Sequence, residues 1–337
     1  MDKSFRMKIG AGIAALAVVV TGGGWYYFHA RSDAPETAIT AVTRSIEKHD
    51  VKGFHKAVDV DSLLDSGYAG FVDGLTSFDN SMTPDARDAI KTFTEMLRAP
   101  LMLSMKSAID SYVATGNLNL NENAGVEEIL HRTGLNDVEV RSVQNIQLND
   151  ANRDEAFADV IVFQSELGRE FPIQITLVKK DDKWQIARIQ NFQEYVSQVA
   201  QARREQINDY LAKAGEINSR HEASIREAEQ KYGSILSLGS LTQDSTRAEL
   251  KTLMNDVIKR DWEERKRELF SLHVPKDAAT LQNLYMQICD LSIAAAQDYA
   301  KWMDDKNAAT IKSAEGKIHQ SQTLMTEAAS IARRMTG

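Results

Sequence analysis

The sequence predicts an α+β domain set between an N-terminal transmembrane helix and a C-terminal antiparallel α-helical bundle. Three observations predict it. Ile9 to Phe28 carries no charge; apolar and polar residues alternate between Val138 and Ile189; and after Phe192 the apolar residues return to steps of three and four. At 337 residues the chain suits about two domains. With 26% charged and 43% hydrophobic residues it has the composition of a chain that buries a core.

The first element is the uncharged run, which at about 1.5 Å per residue reaches roughly 30 Å, the thickness of a bilayer's hydrocarbon. Lys3, Arg6 and Lys8 precede it, so residues 1–8 are expected to stay in the cytoplasm and the rest to be exported. Trp25, Tyr26 and Tyr27 fall at its outer end, where aromatic rings settle at the interface. A cleaved signal peptide is the rival. Its apolar region covers about 7–15 residues and ends in small residues. Here Phe28-His29-Ala30 places a bulky Phe at the third position before any cut. The expectation is a retained anchor over 9–28 in a bacterial cell membrane, with the bulk of the chain periplasmic or extracellular.

Ser32 or Asp33 as cap, Pro35 in the first turn and Glu36 against the dipole start a helix that runs to His49-Asp50. "VKGFHKAVDVDSLLDSGYAGFVDGL" reads as a short helix, a break around Asp59 and another helix from Asp61. Thr83-Pro84-Asp85 opens a longer helix, which Pro100 is expected to kink or split. Its Met96, Leu97, Leu101, Met102, Leu103 and Met105 form an apolar patch, expected to lie against a sheet, with a binding surface as the alternative. "NLNLNENAG" is a loop, and Val126 to Arg132 a short helix.

Four strands follow: "VEVRSVQNIQLN", "EAFADVIVFQSE", "EFPIQITLVKK" and "KWQIARI". The turns "NDANRD", Leu167-Gly168-Arg169 and "KKDDK" make consecutive strands antiparallel. Beyond Phe192, apolar seams run through Tyr210, Ala214 and Ile217, through Leu281, Leu284 and Ile288, and through Ala314, Ile318 and Met325. Breaks at "GSILSLGSLTQD", "HVPKD" and "DDKNA" separate about four helices, and short connections make them antiparallel. "RDWEERKREL" reads as a solvated helix face, with Trp262 and Trp302 as packing residues between helices. The expected layout is a flank at 1–8, an anchor at 9–28, an α+β domain at 34–193 and a bundle at 194–337.

The run "AITAVTRSIEKHDVKGFHKAVDVDSLL", followed by "ADVIVFQSE" and "FPIQITLVKKDDKWQIARIQNFQEYV", resembles the nuclear transport factor 2-like superfamily. It is most similar to the bacterial membrane-anchored members of unknown function, over roughly Ala34 to Val196. The marks are a helix ending in an Asp, a following Phe and "VD", and a last strand with a Trp after an acidic turn. The resemblance implies a bent sheet wrapped by helices into a cone. Enzymes and non-enzymes share that cone, so it does not settle function. Those similar to ketosteroid isomerase place an Asp base inside it.

Asp159 shares a strand face with Phe157, Ile161 and Phe163; Arg188 shares one with Trp184 and Ile186. Asp159, Arg188 and Trp184 are therefore the candidate ligand-binding residues, with Asp159 and Arg188 placed to pair. A paired Asp has its pKa lowered, which suits a general base badly. No catalytic residue, cofactor or metal is assigned. Among the seven histidines there is no i, i+4 pair; "DVDSLLDSG" lacks the later oxygens of a calcium loop; no GxSxG turn occurs. Cys289 stands alone in an apolar helix and reads as a small buried hydrophobe. The net charge of −8 is uneven, +2 over residues 1–33, −9 over 34–193 and −1 over 194–337, and no basic cluster offers nucleic acid a footprint. The expected function is a non-catalytic, envelope-anchored protein that binds a small apolar ligand or a protein partner. A cone-type enzyme acting on a small apolar molecule and a structural spacer or oligomerising module are the alternatives.

Overall fold

The computed structural model describes residues 34–77, 83–117, 130–131, 133–135 and 138–336. The expected anchor at 9–28 and most of the short helix expected at 126–132 lie outside the described residues. Among the described residues no helix is long and apolar enough to cross a membrane. The chain divides into two compact units, one ending at Ala202 and the other beginning at Arg203.

The first unit opens with four helices: α1 (Glu36–Glu47), α2 (Val51–Ala57), α3 (Val60–Ser77) and α4 (Pro84–Thr115). α1 ends because His49 takes left-handed backbone, φ 56°, and the Asp50 N–H donates back to the Ser45 carbonyl at 2.8 Å. Asp50 then caps α2, its Oδ1 accepting from the Gly53 N–H at 2.9 Å. A Cβ at Gly53 would collide with that carboxylate, so the cap and the glycine belong together. The break expected around Asp59 has a tertiary cause. Val58 turns extended and bridges to Ile186, and the Asp59 N–H donates to the Ile186 carbonyl at 2.9 Å. The linker thereby covers part of an edge strand that would otherwise leave its ladder open.

α4 departs from expectation twice. It runs unbroken through Pro100. Pro100 and Met96, whose carbonyl loses its helical donor, are both exposed, so the freed carbonyl lies on a side of the helix that water can reach. Its packing partners are α1, α2 and α3 rather than chiefly the sheet. Met105, Ala108, Ile109, Tyr112 and Val113 are buried there, while Phe93, Met96 and Leu103 stay 62%, 76% and 71% exposed.

The sheet is a meander in the order β1 (Val138–Asn149), β2 (Asn152–Gln164), β3 (Arg169–Lys180), β4 (Lys183–Ile189), antiparallel throughout. Alternation decides its inner face: Ala156, Ala158, Val160 and Val162 of β2 and Phe171, Ile173, Ile175 and Leu177 of β3 are buried. Asp181 and Asp182, both with positive φ (49° and 58°), make the tight turn into β4. β1 carries an extra residue at Arg141 and another between Gln144 and Gln147, where Asn145 has φ 55°. Bulges of this kind sharpen the twist of a strand.

Helix α5 (Phe192–Leu238) begins in the first unit, adding Phe192, Tyr195, Val196 and Val199 to its core. The Tyr195 ring meets Phe171 edge-on at 5.9 Å. Residues of α5 from Arg203 onward belong to the second unit.

The second unit continues with α6 (Asp244–Thr252), a π-helical stretch (Leu253–Lys259), α7 (Arg260–Phe270), a 3₁₀ turn (Lys276–Ala278), α8 (Ala279–Asp305) and α9 (Ala308–Thr336). The second and third expected breaks fall between these helices, whereas the first begins only at Gly239, residues 233–238 staying helical in α5; the expected seams are buried faces: Tyr210, Ala214 and Ile217 on α5, Leu281, Leu284 and Ile288 on α8, Ala314 and Ala328 on α9. Lys306, at φ 52°, ends α8, and the Asp305 carboxylate accepts from the Asn307 N–H at 2.8 Å and the Thr310 hydroxyl at 3.0 Å to start α9.

An ion pair ties α8 to α9: Asp298 accepts from Lys317 and, at 2.6 Å, from the Ser313 hydroxyl. The Lys317 and Ser313 hydrogen bonds hold the Asp298 carboxyl below the usual range. A carboxyl depressed in this way stabilises the fold above its unfolded pKa, and the contribution is lost as pH falls through the folded value. Asp298→Asn should therefore lower the melting temperature at neutral pH. The gap to the wild type should close as pH falls below about 4 in a melting series.

Candidate functional site

The three residues singled out on the sheet are not brought together. Asp159 lies on the half-exposed outer face of β2, its Oδ2 accepting from Asn145 Nδ2 at 2.8 Å and its Oδ1 from Gln174 Nε2 at 3.3 Å. Arg188 pairs with Glu155 at 2.7 Å, not with Asp159. Register is the reason. Asp159 stands opposite Gln174, whereas Arg188 stands opposite Thr176 and so opposite Phe157 beyond it. A bulge also intervenes: Ile186 pairs with Leu177 and Arg188 with Thr176, leaving Ala187 as an extra residue. The bulge inverts the alternation, so Trp184 and Ile186 point inward while Arg188 points out. Trp184 is 5% exposed and part of the first unit's core. Asp159→Asn and Arg188→Gln should each shift stability by less than about 1 kcal/mol, read as a small change in melting temperature.

The first unit holds a small cavity among its described residues. The cavity between Tyr68, Phe71, Leu101, Met105 and Phe192 has a volume of about 10 Å³, room for roughly one water.

The second unit is different. Between its helices lies a groove of about 760 Å³, within the range of small-molecule sites. Ile225 and Tyr232 of α5 form one wall, Ala296 and Tyr299 of α8 another, Ile318 and Met325 of α9 a third. The fourth wall starts in the π-helical stretch with Met254 and Ile258 and continues on α7 with Trp262 and Arg265. A π-helical turn adds a residue to the helical repeat and re-aims the faces on either side of it, and such turns are frequent at functional sites. The buried hydroxyls of Ser292 and Ser321 bond each other at 3.0 Å at the junction of α8 and α9.

Arg265 is the unexpected residue. Inside the run "RDWEERKREL", expected to be a solvated face, it is 6% exposed. The step of three from Trp262 puts it on the same inward face, while Glu263 and Glu264 remain outside. Its Nε donates to Asn218 Oδ1 at 2.9 Å, and its guanidinium carbon lies 4.5 Å from the centre of the Trp262 ring. Withdrawal from water pulls the guanidinium below the usual arginine range, a shift that nearby Cys289, Glu222 and Asp261 oppose. On the same two helices His221 Nδ1 sits 3.1 Å from Asp261 Oδ1, a buried clasp between α5 and α7.

Among the described residues lining the groove, none pairs a nucleophile with a base. Cys289, behind Arg265, has its thiol pushed up to about 11 by burial, which keeps it protonated. Among the described residues no group of three His, Cys, Asp or Glu side chains is placed to hold a metal.

No family model matches the chain, and neither a curated protein nor a solved structure does.

Proposed function

We propose that the chain is a non-catalytic binding protein whose ligand occupies the groove of the second unit. The groove supports this reading: about 760 Å³ lined mainly by apolar side chains, against about 10 Å³ in the first unit. The first unit, with its helices folded over one face of a bulged sheet, is proposed to be a cone of the nuclear transport factor 2-like kind serving as a structural platform. The small volume of the cavity described there favours support over an enzyme acting on a small apolar molecule. Residues 9–28 are proposed to hold the chain in a bacterial cell membrane, with residues 1–8 in the cytoplasm and the remainder outside. The basis is the basic flank, the length of the uncharged run and its aromatic end.

Two experiments test this. A ligand that binds only the folded state raises stability by mass action. Titrating the full-length protein with 1-hexadecanol should raise its melting temperature, and Ala296→Trp, which fills the groove from α8, should abolish the rise. An unchanged melting temperature in the wild type would remove the binding function. Sequencing the N-terminus of the mature protein should find residue 1 or 2. A start at or near Arg31 would replace the anchor by a cleaved signal.

A further inference from the structure

Resting on the groove as the ligand site, we propose that the ligand is an amphiphile with one long apolar chain and a single anionic head, gripped by Arg265. The rim and the floor of the groove differ in charge. Glu222, Arg226 and Glu229 stand at the rim and are exposed. Arg265 is the one charged residue among those lining the groove that is buried.

Its guanidinium is oriented before any ligand arrives. Asn218 holds Nε at 2.9 Å and the guanidinium carbon lies over the Trp262 ring at 4.5 Å. Among the described residues neither Nη has a hydrogen-bond or ion-pair partner; Glu222 and Asp261 influence the charge without pairing with it. Asp261 is turned to His221. A planar fork held at one edge and open at the other matches two oxygens of a carboxylate or a phosphate monoester. A wholly apolar ligand would leave that fork desolvated and unpaired, which is unfavourable.

The walls select the body. A helix about 10 Å across would use up 760 Å³ in about 10 Å of its length, two turns, too little to anchor a peptide helix firmly. A flexible alkyl chain fits the space, and Met254 and Met325 are side chains that adapt to such a shape.

The test uses the full-length protein in discs of phosphatidylcholine, with empty discs as the reference. Binding of 11-(dansylamino)undecanoate is read by energy transfer from tryptophan, then competed with palmitate, hexadecyl phosphate and 1-hexadecanol. At least one of the two anions should displace the probe about tenfold more strongly than the alcohol, and the stronger one identifies the head as carboxylate or phosphate. Arg265→Gln should weaken that anion about tenfold and leave the alcohol unchanged, with Arg265→Lys in between. Should Arg265→Gln fail to fold by circular dichroism, Asn218→Ala, which only frees the guanidinium, should weaken the anion and not the alcohol. Equal displacement by alcohol and anions in the wild type would overturn the anionic head and leave the groove as a ligand site. Absence of any saturable probe binding would overturn both.

Discussion

Trp184→Ala is expected to unfold the first unit or bring it close to unfolding. Trp184 opens β4 after the Asp181-Asp182 turn and is 5% exposed in the same core as Phe54 and Leu64. Truncating a buried Trp removes a large apolar area and leaves a void, a loss of about 3–5 kcal/mol. Domains have about 5–15 kcal/mol in all, so most of the margin goes. β4 is also where the α2–α3 linker attaches through Ile186, so loosening it releases the helices as well as the sheet. Amide hydrogen exchange should rise across β3, β4 and α1–α3 in the full-length variant. Unchanged protection there would mean that Trp184 is not the keystone of this core.

Gln282→Leu is expected to destabilise the second unit by about 2–3 kcal/mol. Gln282 is buried and bonds in two directions: its Oε1 accepts from the Tyr210 hydroxyl at 2.8 Å, and its Nε2 donates to the Leu269 carbonyl at 2.9 Å. It thereby joins α5, α7 and α8 through one amide. Leu in its place leaves the Tyr210 hydroxyl dry and unpaired, and takes from the Leu269 carbonyl its side-chain donor, leaving it to backbone N–H groups such as that of Leu272 at 3.3 Å. Burial already pushes the Tyr210 phenol far above its ordinary range, so ionisation offers no escape. Adding Tyr210→Phe to Gln282→Leu should recover the phenol's share, because removing both partners is milder than orphaning one. Denaturant unfolding followed by helical circular dichroism measures both. A double variant no more stable than the single would show that the hydroxyl finds another partner.

Much of the backbone was legible because its determinants are local. Alternation with turn residues located the four strands of the described residues, and Asp50, Pro84 and the left-handed Lys306 mark helix ends where short-range chemistry puts them. The faces were harder to read. One extra residue at Ala187 turned Arg188 outward, and a strand's alternation carries no record of where its partner slips. Pro100 looked like a breaker because the sequence does not say which side of α4 meets water. Arg265 was hidden by its neighbours: in a dense charge run only the step from Trp262 hints at an inward position, and a tertiary partner such as Asn218 decides it. The groove had no sequence mark, since it arises where four helices fail to close on one another.

The most direct measurement of the central claim is a map of where an apolar ligand lies on the protein. A neutral alkyl diazirine is photolysed with the full-length chain in phosphatidylcholine discs, with and without excess 1-hexadecanol, and the labelled peptides are sequenced. The account predicts labels on the peptides carrying Met254, Ile258, Tyr299 and Met325, removed by the competitor and absent from Ala296→Trp. Labels confined to residues 9–28 or to the exposed Phe93 and Met96 of α4, with the bundle unmarked, would contradict it.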